Sequence, residues 1–139
     1  MSLQENRKLR PEIFITDRRY SELNRLANAS LRRTPHVAEL LLSELERAEI
    51  VPNQALPGNI VDLGSWVTFK DDDSGEIQLV QIVYPHEVDI TSGKISILTP
   101  VGAALLGLSE GQAIDCPTLD GRARRLRVLG VDRSRDRAR

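Results

Sequence analysis

Tyr20, Leu23, Leu26 and Ala27 recur at three- and four-residue spacing within an otherwise polar run, which predicts one apolar stripe along a helix. Thr16 or Asp17 supplies an N-cap, and the stripe runs out at Asn28-Ala29-Ser30. A second helix is predicted with Thr34 as cap and Pro35 at its first position, where a missing N–H costs nothing. Val37, Leu40, Leu41, Leu45 and Ala48 form its apolar side, and Glu39, Glu44, Glu46, Arg47 and Glu49 its solvated one. The helical region extends to about residue 50, where Pro52 stops it. Two helices of roughly 13 residues with a short connection make an antiparallel hairpin about 20 Å long. Such a hairpin cannot bury its own stripes, so it must lean on the rest of the chain. Ile13-Phe14-Ile15, just ahead of it, is a short β-favouring run able to pack on or pair with another segment.

Beyond residue 60 the pattern changes to short runs separated by turns. Residues 65–70 and 76–84 flank the Asp71-Asp72-Asp73-Ser74-Gly75 turn and read as a β-hairpin. The second run has apolar residues on both faces, which predicts a central strand. Residues 94–98 form a third strand, Val101 to Leu106 a short helix closed by Gly107, and residues 112–116 and 124–131 the last two strands. The expected fold class is α+β: a short N-terminal helical hairpin plus an antiparallel β half-barrel with one short helix. The expected organisation is an N-terminal extension (1–15), the hairpin (16–51), a linker (52–59), the strand-rich domain (60–131) and a disordered tail (132–139) without apolar residues.

Composition narrows the function classes. The formal net charge of the 139 residues is −1, which argues against a bulk nucleic-acid binder, since those carry a basic excess to neutralise phosphates. The single cysteine, Cys116, excludes an internal disulfide and a cysteine-based zinc site. It reads as a buried structural thiol at a strand end, with no reason to set His36 or His86 beside it as an activating base. There is no run of about 20 apolar residues to cross a bilayer, and the polar N-terminus has no signal-peptide core. A cytoplasmic protein is expected.

The segment Ile95-Ser-Ile-Leu-Thr-Pro-Val-Gly-Ala-Ala-Leu-Leu-Gly-Leu-Ser-Glu-Gly-Gln112 resembles the signature of the C-terminal domain of the GreA/GreB transcription elongation factors. That signature is a strand, a Ser/Thr-Pro step, a short Ala-Leu-Leu-Gly helix and a turn into the next strand. Together with Val83-Tyr84-Pro85, the block is most similar to the Rnk group of that family, and the likeness spans most of residues 11–131. The resemblance implies an FKBP-like fold for the second half. It also implies docking at the rim of the RNA polymerase secondary channel, on a coiled coil of the β′ subunit, with the hairpin directed at the channel. The polymerase-binding loop of the family maps onto Leu98, Thr99, Pro100 and Val101, although Leu98 stands where Gre factors carry an acidic residue.

Gre factors promote transcript cleavage with carboxylates at the tip of a long coiled coil, which help to hold a catalytic metal ion, a hard cation that prefers oxygen ligands. The tip here, Leu31, Arg32, Arg33 and Thr34, has no carboxylate, and the hairpin is short. The resemblance with these two departures implies a non-enzymatic regulator that competes with Gre-type factors for one site. No cofactor, metal, membrane or specific nucleic-acid partner is expected, and the chain is expected to be a monomer. Two enzyme readings stand against it: a transcript-cleavage factor, and a peptidyl-prolyl isomerase suggested by the fold. The isomerase would need an aromatic pocket, and the second half offers only Trp66, Phe69 and Tyr84. The Asp71-Asp72-Asp73 run lacks the ligand spacing of a calcium loop and reads as a turn.

Overall fold

Thr16 sets the start of the hairpin, because its Oγ1 accepts from the backbone N–H of Arg19 at 3.3 Å and so caps the first helix. In the computed structural model, which describes residues 10–117 and 121–133, α1 spans Asp17–Ala29 and α2 spans Pro35–Arg47. Leu23 and Ala27 of α1 share one buried cluster with Leu41 and Leu45 of α2, all essentially inaccessible to solvent.

The hairpin is closed at its base by a two-stranded parallel sheet. β1 (Phe14–Thr16) pairs with β2 (Glu49–Val51), with Ile15 opposite Ile50. The helical region therefore ends at Arg47 and not near residue 50: Ala48 already has extended backbone (φ −72°, ψ 147°), and the β-branched Ile50 and Val51 continue it. Ile13 and Ile15 are buried in the core, so the segment ahead of α1 is built into the fold. Residues 1–9 lie outside the described part.

The strand-rich half is one five-stranded sheet in the order β5-β4-β3-β7-β6: β3 (Trp66–Asp71), β4 (Ile77–Val83), β5 (Lys94–Ser96), β6 (Ala113–Pro117) and β7 (Ala123–Asp132). The sheet is mixed where an antiparallel one was expected, because β5 runs parallel to β4. The chain crosses over between them through two single-turn 3₁₀ helices, Pro85–Glu87 and Ile90–Ser92, and re-enters the sheet with Gln81 N–H donating to Gly93 O at 2.8 Å. Since β5 pairs only with residues 81–83, the first half of β4 is an open edge: Ile77 and Leu79 are exposed, while residues 80–83 are buried. The expectation of a central strand holds only for that second half.

The helix α3 (Pro100–Leu105) packs against α2 and β6. Gly102 lets it start close to the end of β5, because a Cβ there would stand 2.4 Å from Ser96 O. Gly107 (φ +81°) then turns the chain against the hairpin's base, where its carbonyl accepts from Phe14 N–H at 3.1 Å. One hydrophobic core runs through both halves, from Ile13, Leu23 and Leu41 to Val67, Leu105 and Val128. The linker is tied down as well, since Asn53 Oδ1 accepts from Arg18 N–H and Leu56 O from Arg133. Asp132 continues β7; residues 134–139 of the expected tail lie outside the described part.

One solvated position was misplaced. Glu44 is 2 % exposed and lies within 2.8 Å of Arg47 Nη2, while Arg47 also donates to Pro11 O. Its place on α2 faces the N-terminal segment, and Arg47 compensates the buried carboxylate. Glu49 also leaves the solvated helix face, because it belongs to β2.

Candidate docking site beside Pro100

The strand-to-helix step at residues 96–102 is held by one side chain. Thr99 Oγ1 donates to Ser96 O at 2.7 Å and accepts from Gly102 N–H at 3.0 Å, making it the N-cap of α3. Its hydroxyl is consumed inside the turn, so Thr99 shapes the step more than it offers a polar contact. Pro100 occupies the first helical position, half-exposed.

Beside the step the curled sheet leaves an open apolar pocket of about 320 Å³. Phe69 forms its buried floor; Val80, Ile95, Val101 and Cys116 line it, and Pro100 and Pro117 border it. Gln78 and Arg124 supply its polar lining. Thr99, Pro100 and Val101 of the sequence-predicted loop therefore meet at this pocket, whereas Leu98 does not line it and packs half-buried against the core. The far side of Pro100 and Pro117 borders a second groove, about 460 Å³, against His36, Val37 and Leu40 of α2. The beginning of α2, next to the hairpin tip, thus lies beside the same step.

Arg124 is held by Asp71, Nε to Oδ2 at 2.9 Å, and Asp71 Oδ1 accepts from the N–H groups of Asp73 and Ser74. The Arg124 hydrogen bond, followed by that from Asp73, holds the Asp71 carboxyl below its usual range. Arg127 acts likewise on Asp72. The triple-aspartate run is thus a hairpin turn braced by β7. Among the described residues no group of three His, Cys, Asp or Glu side chains is placed to hold a metal ion. Neither Arg124 nor Pro117 stood out in the sequence, and Phe69 was noted only among the few aromatics of the second half; the Asp71 and Arg124 partners lie 53 residues apart, a separation no local pattern reveals.

Cys116 is 1 % exposed, and burial pushes its thiol up to about 11, the chemistry of an inert wall residue. Among the described residues Phe69 is the only aromatic side chain at the pocket. Trp66 alternates to the other face of β3, and Tyr84 hydrogen-bonds to Arg19 and Glu22.

At the hairpin tip, Ser30 O accepts from Arg33 N–H (3.2 Å), Thr34 N–H (2.9 Å) and the Thr34 hydroxyl (3.3 Å). Thr34 holds the N-cap position of α2 as expected, its carbonyl accepting from Ala38 N–H at 2.9 Å, but its side chain makes no cap hydrogen bond, because the backbone (φ −135°, ψ 67°) turns the hydroxyl back into the turn. Arg32 and Arg33 are exposed, and among the described residues they form no ion pair. Leu31 is half-buried.

Residues 56–133 match the family "Transcription elongation factor, GreA/GreB, C-term", and residues 11–51 match "Rnk N-terminus". The chain is 32 % identical over 123 residues to the "Regulator of nucleoside diphosphate kinase" of Escherichia coli K12, covering 88 % of this chain and 90 % of that protein. It is 32 % identical over 111 residues to the transcription elongation factor GreA of Thermosipho africanus, covering 80 % and 69 % respectively. A solved GreA/GreB elongation factor from Nitrosomonas europaea superposes with a TM-score of 0.69 at 36 % identity, over 88 % of this chain and 99 % of that one.

Proposed function

Because the chain belongs to the GreA/GreB transcription elongation factor family, in its Rnk branch, we propose that it is a transcription regulator that binds RNA polymerase. It docks at the rim of the secondary channel on the β′ coiled coil, through Pro100 and Val101 and the pocket beside them. The observation that carries this reading is the apolar pocket at the Thr99-Pro100 step, within the region that matches the elongation-factor family. An open concave site with an aromatic floor and a few polar groups at its lining suits an apolar anchor from a protein partner.

The regulator competes with Gre-type factors for that surface and does not stimulate transcript cleavage. Residues 28–36 contain no carboxylate, and each hairpin helix has only 13 residues, about 20 Å of reach. A tip bearing Arg32 and Arg33 has no carboxylate to offer a magnesium ion. The protein acts as a monomer, without cofactor, in the cytoplasm, where the polymerase works. No helix among the described residues is long and apolar enough to cross a membrane. Fluorescence competition on core polymerase against a Gre cleavage factor, with stalled complexes assayed in parallel for cleavage, tests both parts of the proposal.

A further inference from the structure

On another side of α2 a groove of about 350 Å³ follows the seam between the two hairpin helices. Tyr20 and Asn24 of α1, one turn apart, form one wall. Leu42, Ser43 and Glu46 of α2 form the other, with Glu39 at its far end. The floor is apolar: Leu45 is buried, and Tyr20 and Leu42 are half-exposed. The rim is acidic. Glu39 and Glu46 are both exposed and seven residues apart, about 10 Å along the axis.

Glu22, Glu44, Asp62, Asp71, Asp72 and Asp115 are all matched by arginines. Among the described residues no ion pair reaches Glu39 or Glu46, and the Tyr20 hydroxyl has no hydrogen-bond partner. Exposed carboxylates such as Glu12, Asp17 and Glu76 are also without an ion pair among the described residues, so Glu39 and Glu46 are distinguished by their place beside the apolar seam. An unmatched acidic pair at heptad spacing beside an apolar seam is complementary to one shape, a helix with an apolar stripe flanked by cations seven residues apart.

We propose that this groove receives a cationic amphipathic α-helix of a protein partner, packed as a third helix on the hairpin. Its apolar residues lie over Tyr20 and Leu42, and its Lys or Arg side chains meet Glu39 and Glu46. Glu39 also lines the groove that Pro100 borders, whereas Tyr20, Leu42 and Glu46 lie away from it and give the regulator a second protein contact.

The test uses the full chain and a fluorescein-labelled 18-residue helix of Leu and Lys at heptad spacing, with the same peptide carrying Glu for Lys as its counterpart. Anisotropy should show binding of the cationic peptide alone, weakened about tenfold by Glu46→Lys and by Leu42→Gln. Asp73→Lys/Glu76→Lys, which changes exposed acids on the distant turn, should alter it less than twofold. Circular dichroism melts identify a variant that has lost its fold; Tyr20→Phe, which keeps the ring, then reads the contact independently as a few-fold loss. Equal weakening by the Asp73/Glu76 variant would reduce the effect to bulk charge and overturn the proposal, as would no binding at 200 μM peptide. A concentration-dependent dimer dissolved by the peptide would assign the groove to a second copy instead. Polymerase binding by Glu46→Lys is read separately, so failure here leaves the docking proposal standing and the converse also holds.

Discussion

Arg19 Nε lies 3.1 Å from Asp62 Oδ1, tying the first helix of the hairpin to the chain just ahead of β3. The same guanidinium reaches Glu22 Oε1 at 3.1 Å and the Tyr84 hydroxyl at 3.3 Å, and that hydroxyl donates to Glu22. One half-buried arginine therefore joins α1, the start of the strand-rich half and the residue that follows β4.

Arg19→Ala should destabilise the fold by about 1–3 kcal/mol, the usual cost of hydrogen bonds to charged groups with partners left behind. The thermal midpoint should fall by roughly 3–10 °C in a calorimetric scan. Arg19→Lys should recover less than half of this, because an ammonium cannot serve three partners in the geometry of the planar fork. An unchanged midpoint for Arg19→Ala would show that the shared core alone holds the two halves together.

Acid should weaken the same network. The Tyr84 hydrogen bond first, then Arg19, holds the Glu22 carboxyl below its usual value, and Asp71 is held low by Arg124. A carboxylate depressed in the folded state contributes stability above its unfolded value, near 4, and loses it as pH falls through the folded one. Stability should be flat from pH 7 to 5 and decline below about 4. Asp71→Asn should be less stable than the parent at pH 7 and approach it near pH 3, as measured by urea melts across that range.

Two substitutions at the step separate shape from contact. Thr99→Ala removes the cap of α3 and should cost about 1 kcal/mol, which Thr99→Ser restores. Gly102→Ala sets a methyl 2.4 Å from Ser96 O and should cost about 1–3 kcal/mol, because the backbone must shift. Denaturant midpoints give both values.

The Cys116 thiol should resist alkylation. With its pKa near 11, the thiolate fraction at pH 8 is roughly two orders of magnitude below that of a free cysteine, and the sulfur is buried. Iodoacetamide at pH 8 should label the folded chain over hours and the urea-unfolded chain in minutes. Equal rates would mean that the pocket wall opens freely.

Much of the fold was legible locally. The Thr16 cap, both helix stripes, the aspartate turn and the Thr99-Pro100 step each express a rule that acts within a few residues. The rest depended on partners far along the chain. The β1–β2 pairing joins Ile15 to Ile50, 35 residues away, and the parallel entry of β5 follows from the crossover at residues 84–93. Glu44 looked solvated because nothing local announces that Arg47, its partner one turn on, also reaches Pro11, 36 residues earlier. For the candidate site, Thr99, Pro100 and Val101 were visible through resemblance; the Phe69 floor and the Arg124 lining appear only once β3 and β7 are paired.

The central claim is tested most directly by titrating labelled protein with core RNA polymerase, and then adding a Gre cleavage factor. The account predicts saturable binding that the Gre factor displaces, no increase in transcript cleavage on stalled complexes, and an affinity lowered at least fivefold by Val101→Asp in the pocket. No binding at tens of micromolar, or binding that Val101→Asp and the Gre factor both leave unchanged, would contradict it.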